Sequence, residues 1–245
     1  MDMILLDWTR MGHTYCLAGV VLEDGRQRVV RPLPARWRES PVRNVGWSPY
    51  LLEGHARWEA FELDHPEPAT PQPPHLEDVW VRTLRPRRRS ATLDERRAIL
   101  GATVQPPDVP LFGAELIFTR AAAHLPPATG ERSMATALIS TKEIVFTVAR
   151  REGVVQADYR VTLPIPGHGP VVLPLKDHFL LARAEQAGDD LDEQARRLTQ
   201  CVRQMGERVA VRLGLSRRFQ ATPTRGPGAC WLMADGFFSL IDPQP

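Results

Sequence analysis

The chain has 245 residues, 43% hydrophobic and 24% charged, with a formal net charge of only +2, which suits a soluble globular protein with a core of its own. Cys16, Cys201 and Cys230 show no CxxC spacing, which argues against a disulfide framework and against a thiolate zinc site. No apolar run reaches the ~18 residues of a membrane-spanning helix, and the start MDMILL lacks the features of a secretory signal, so a cytoplasmic protein with no membrane contact is expected.

In chain order, residues 3–8 (MILLDW) and 14–22 (TYCLAGVVL) read as apolar strands, the second apolar on both pleat faces. Asp24-Gly25 offers the positive φ of a hairpin turn; residues 27–31 return from it and stop at Pro32. Residues 35–55 have no period and are expected to be loop with one helical turn. Residues 57–64 and 76–84 read as strands on β-branched and aromatic content, and HPEPATPQPPH between them reads as an exposed, extended loop. RPRRRSATLDERRAILG gives a short helix, capped by Thr92 with Glu95 three residues later and stopped by Gly101. Residues 111–132, rich in Pro and Gly, read as a linker between a first domain at 1–110 and a second at 133–245.

The second half repeats the strand count. Residues 137–149 read as one strand, 154–163 as a half-buried strand, and 171–175 as a third. Residues 177–187 suit a short helix. Residues 190–205 suit a longer one, with Leu191, Ala195, Leu198, Val202 and Met205 on one face, Asp190 as cap and Gly206 as stop. Residues 207–213 and 231–241 supply two more strands. Strand, strand, strand, helix, strand, strand is the element order of an OB-fold. The fold class expected is mainly β with a few helices, as two OB-like five-stranded barrels in tandem. A single larger mixed sheet or another five-stranded barrel is the alternative.

The segment MILLDWTRMGHTYCLAGVVLEDGRQRVVRPLP resembles the start of the bacterial dual-OB domain family, with Ile4–Leu6, Cys16-Leu17-Ala18-Gly19 and Arg31-Pro32 in the matching places. PHLEDVWV (74–81) and LGLSRRF with CWLMADGFFSLI (213–241) are similar to its later landmarks. The resemblance implies paired OB-like domains encoded beside bacterial conflict or antiviral genes and binding nucleic acid. It carries over no catalytic residues.

Motifs that would name a reaction are missing from the sequence. There is no Gly-x-x-x-x-Gly-Lys loop, GxSxG or HExxH, and GHGPVV (167–172) lacks the third glycine of a dinucleotide fingerprint. Ser140 and Pro174 stand where an acid-x-lysine nuclease needs carboxylates before Lys142 and Lys176. His55, His65 and His75 lie ten apart, which fits no usual zinc spacing. His75, Glu77 and Asp78 form the one candidate acid–base group, and capping or turn chemistry accounts for them more simply. Neither a metal nor a cofactor is expected.

The positive signals concern binding. All but two of the 31 basic residues are arginine, the better side chain for bidentate phosphate contacts and base stacking. Arg82, Arg85, Arg87, Arg88 and Arg89 cluster near Trp80, and Trp37 lies between Arg36 and Arg38. Arg208 and Arg212 oppose Val209, Val211 and Leu213 as a one-sided basic stripe followed by Arg217 and Arg218. A charged outer face is also what any half-buried strand shows, and a strand tryptophan is more often core than platform. The reading is a non-enzymatic protein binding single-stranded nucleic acid with little sequence preference, through Arg31, Arg36, Arg87, Arg88, Arg217 and Arg218 on phosphates and Trp37 on a base. The alternative is an adaptor that binds other protein subunits.

Overall fold

The computed structural model describes residues 1–23, 26–38, 46–69, 72–119, 122–150, 156–217 and 228–241, and it is mainly β with curled sheets. The expected turn at Asp24-Gly25 and the candidate Arg218 lie outside the described residues. The first apolar runs form an antiparallel meander of β1 (Asp2–Met11), β2 (Thr14–Glu23) and β3 (Arg26–Pro34). β4 (Glu59–Asp64) pairs antiparallel with the other edge of β1, and β5 (Glu67–Pro68) pairs antiparallel with β6 (Asp78–Val81). β6 in turn runs parallel to β3, and β7 (Thr83–Ser90) lies outside β4, giving the order β5-β6-β3-β2-β1-β4-β7. β4 and β5 sit far apart in that order, yet only His65 and Pro66 separate them in the chain. His65, at φ 47°, makes that corner, so the sheet must curl.

Two local expectations are corrected in this half. β3 does not stop at Pro32 but runs to Pro34, because its ladder with β2 ends at Gly19↔Val30. The prolines therefore fall where no antiparallel neighbour needs their missing N–H, while Arg31 N donates to Glu77 O at 2.8 Å. The arginine run lies on strand β7, and the helix α1 (Leu93–Thr103) begins after it where expected, with the full Thr92–Glu95 capping box. Gly101 does not end α1; its neighbourhood is open and the helix continues to Thr103.

In the second half, β8 (Ile117–Thr119) and β9 (Ala122–Leu125) form a pair within the stretch read as linker. The expected strand 137–149 is broken by a 3-10 turn (Thr141–Glu143) into β10 (Met134–Ser140) and β11 (Val145–Ala149). β11 leads an antiparallel sheet with β12 (Asp158–Pro164) and β13 (Pro170–Pro174). Helices α2 (His178–Glu185) and α3 (Leu191–Gln204) follow, capped by Asp177 and Asp190. β14 (Arg208–Leu215) pairs with β10 and with β15 (Cys230–Ser239), in a sheet of order β10-β14-β15-β9-β8. A parallel bridge, Leu175↔Ala234, joins the end of β13 to β15.

Both faces of β1 are buried. Met3 and Leu5 enter the first half's own core, while Ile4 and Leu6 join a cluster shared with Ala210 and Phe238 of the second half. Strict alternation would then put Asp7 with Met3 and Leu5. A register shift between Leu5 and Asp7 changes the parity instead: Trp8 enters the core and Asp7 is an ion-pair partner of Arg212 across the halves. The register of β14 and β15 also shifts, between Arg212 and Leu213, so that Gly236 and Ala234 are paired and Asp235 is the extra residue. Arg212, expected on a solvated basic stripe, is 1% exposed. It faces the other half, 3.3 Å (Nε–Oδ2) from Asp7.

Candidate functional site

Two of the expected phosphate-binding arginines converge on one carboxylate. Arg31 is 5% exposed, with Nε 2.5 Å from Asp78 Oδ1 and Nη2 2.5 Å from His75 Nδ1. Arg217 Nη2 donates to the other oxygen, Asp78 Oδ2, at 2.6 Å. Burial pushes the Asp78 carboxyl up, but the two guanidinium groups outweigh it and hold it below the usual range. Burial, then Arg31, lowers His75 to about 3, so its imidazole is neutral. Glu77 accepts from Ser133 N at 2.7 Å, Ser133 Oγ at 3.0 Å and Met134 N at 3.2 Å. His75, Glu77 and Asp78 are thus engaged in holding neighbouring segments together.

The remaining candidates lie on two other elements. Arg36 and Trp37 belong to the 3-10 turn Ala35–Trp37 after β3, with the Arg36 guanidinium 5.6 Å from the Trp37 ring centre. Trp37 is half-buried and Arg36 exposed. Arg87 and Arg88 are exposed on β7, in the stretch where its register against β4 shifts. Arg87 is matched by Glu62 at 3.2 Å and Asp2 at 3.5 Å. Of the five tryptophans before residue 81, Trp8, Trp47 and Trp58 are buried core.

The pairing of Leu33 with Trp80 and Pro34 with Val81 brings the Ala35–Trp37 turn beside Trp80 and Arg82. The result is a surface groove of about 460 Å³ lined by Arg36, Arg38, Arg82, His65, Glu67 and Trp80. Arg38 lies 5.8 Å from the Trp80 ring centre and donates to Glu67 Oε2 at 2.5 Å. Arg82 donates to Asp64 Oδ2 at 2.9 and 3.0 Å, and Arg85 comes within 3.7 Å of the same oxygen. Side chains of Arg38 and Arg82 remain 45% and 64% exposed, so these pairs are water-screened and exchangeable. Arg38, Arg82 and Trp80 are in the sequence clusters. Their meeting depends on a parallel pairing between distant segments that no local pattern announces.

A second concavity, about 380 Å³, lies where the halves meet. Its wall combines Met11, Leu17, Met134, Leu215, Trp231 and Met233 with Asp7, Asp235, Lys176, Arg31, Arg217 and Cys16. Asp7 and Asp235 are 2% and 7% exposed, and Oδ1 of each has no hydrogen-bond partner among the described residues. Burial, then the neighbouring Asp7, raises the Asp235 carboxyl to about 7. Burial likewise raises Asp7 and lowers Lys176. Gly214 makes room for Asp235, because a Cβ there would collide with Asp235 Oδ2. None of these groups except Arg31 and Arg217 was singled out as a binding residue from sequence; the informative signal was a lone Asp inside an apolar strand, MADGFF.

No protein-family model matches the chain, and neither a curated protein nor a solved structure is detectably similar to it.

Proposed function

We propose that this protein binds single-stranded nucleic acid, with little sequence preference, in the groove around Trp80. The observation that carries the reading is the set of three exposed guanidinium groups, Arg36, Arg38 and Arg82, around one half-buried indole. Successive nucleotides present a π-face and a phosphate, and tryptophan with arginine meets both. Arg31 and Arg217 hold Asp78 rather than phosphate and act as scaffold; Arg36 takes over the role expected of Arg31.

The same proposal takes each half as an OB-like barrel, of the kind the dual-OB resemblance implies, and places the protein among accessories of bacterial conflict systems. Strand pairing supports the barrel reading. In a closed five-strand Greek key the first strand pairs on both edges, and the third meets the fifth in parallel. β1 pairs with β2 and β4, and β3 with β6, while β5 continues β4 around the corner to meet β6. In the second half β10 and β11 share the first-strand role, α3 precedes β14, and Leu175↔Ala234 is the parallel contact. The groove then lies by the third and fifth strands of the first barrel.

Fluorescence anisotropy of a labelled oligo(dT), titrated with the whole protein at several salt concentrations, tests the reading. Affinity should fall with salt. Arg36→Ala and Arg38→Ala should each weaken it several-fold, and Trp80→Ala about tenfold, since stacking contributes ~1–3 kcal/mol per base. Anisotropy that stays flat at low salt up to high protein concentration rejects nucleic-acid binding and leaves the adaptor reading.

A further inference from the structure

We propose that the cleft between the two halves is a binding site for a small neutral heterocycle with adjacent N–H donors beside a carbonyl, a guanine-type base. The cleft shares no lining residue with the Trp80 groove. A volume of about 380 Å³ is within the range of small-molecule sites. An aromatic and thioether wall from Trp231, Met11, Met134 and Met233 suits a flat apolar body.

The polar groups narrow the chemistry. Asp235 lines the cleft, is only 7% exposed, and its Oδ1 lacks a partner among the described residues. A buried carboxyl left so is costly unless something donates to it. It sits on the extra residue of a bulged strand, and a glycine at 214 leaves its carboxylate space. Bulges of this kind re-aim side chains beside functional sites. Lys176, whose backbone N donates to Ala234 O at 2.8 Å, also lines the cleft, and its ammonium and the Asp235 carboxyl attract one another electrostatically. A carboxylate accepting two parallel N–H bonds with an ammonium donating to a neighbouring oxygen matches the lactam edge of guanine. A cationic ligand would meet the Lys176 ammonium. An anion would meet Asp7 and Asp235, with Arg31 and Arg217 already committed to Asp78.

Isothermal titration of the whole protein with guanosine, inosine and adenosine tests this. Guanosine should bind, inosine, lacking the exocyclic amino group, about tenfold more weakly, and adenosine, with the edge reversed, not measurably. The near-isosteric Asp235→Asn should lose about tenfold or more, whereas Arg36→Ala, in the other groove, should leave guanosine binding unchanged. A dT oligomer carrying one guanine distinguishes sources: competition with guanosine assigns the site to a base within a strand, and no competition assigns it to a free nucleoside, both consistent with the proposed edge chemistry. No heat with millimolar guanosine, equal binding of guanosine and adenosine, or full affinity in Asp235→Asn overturns the proposal. If Asp235→Asn fails to fold, the three-nucleoside comparison on the native chain still decides it.

Discussion

Asp235, buried, and His75, half-buried, are titratable groups whose pKa values are displaced in opposite directions, so they make opposite demands on pH. The Asp235 carboxyl is raised from an ordinary 3.8 to about 7 by burial and by Asp7, with Arg31, Lys176 and Arg212 pulling the other way. A raised acid binds its proton more tightly in the fold than in the unfolded chain. That contribution is whole below 3.8 and is lost as pH climbs through about 7. Asp235→Asn, permanently neutral, should therefore match the wild type near pH 4 and become relatively more stable toward pH 8, by on the order of 3 kcal/mol. Urea melts across that range read this directly, and a constant offset would show that Asp235 is ionised throughout. His75 behaves inversely. Its folded value of about 3 lies below the ordinary 6.5, so stability falls as the unfolded chain takes up a proton below 6.5. In Asp235→Asn that acid-side loss should stand out, because the compensating slope has been removed.

At the level of elements, two helix caps of one chemistry should differ in worth. Thr92 Oγ1 caps α1 at the surface by accepting from Glu95 N, and Thr92 N donates to Glu95 Oε2 at 2.8 Å. Thr92→Ala should cost about 1 kcal/mol. Asp177 caps α2 while 0% exposed: it accepts from Phe179 N at 2.9 Å and Phe237 N at 3.0 Å, and holds Arg57 Nη2 at 3.0 Å on both oxygens. Asp177→Ala leaves Arg57 buried among Phe179 and Phe238 without its counter-charge, and should cost about 3–5 kcal/mol. Chemical denaturation of the two variants checks the ratio. The Thr92 cap was legible, because a cap is written within four residues, whereas Asp177 read as part of its helix. β1, β2, α1 and α3 could be found for the same local reason. β7 could not, since an arginine run on an exposed edge strand has no apolar alternation to reveal it. Nor could the bulges at β1 and Asp235, which depend on which neighbour each strand meets. Arg31 and Arg212 show the deeper limit: arginine at an outward strand position looks the same whether it meets water or a carboxylate from a remote segment.

Across the whole molecule, those remote carboxylates join the two halves. Ile4, Leu6 and Trp58 pack with Ala210 and Phe238 in one cluster, flanked by the buried Arg57–Asp177 and Arg212–Asp7 pairs. Glu77 fastens the start of β10, and Arg97 Nη2 donates to Ile241 O at 2.9 Å. Exposing either half alone would leave apolar strand faces and unpaired charges in water or, worse, half-buried, so separating them costs more than a flexible tether would imply. Unfolding should accordingly be a single transition. Tryptophan fluorescence weights the first half, which holds five of the six indoles, while amide exchange along α3 reports the second. The two should give coincident urea midpoints, and Asp177→Ala should shift both by the same amount. Midpoints that separate, or an Asp177 variant that moves only one, would show the interface to be too weak to couple the halves. The cleft bearing Asp235 would then open and close with their motion rather than stand as a fixed site.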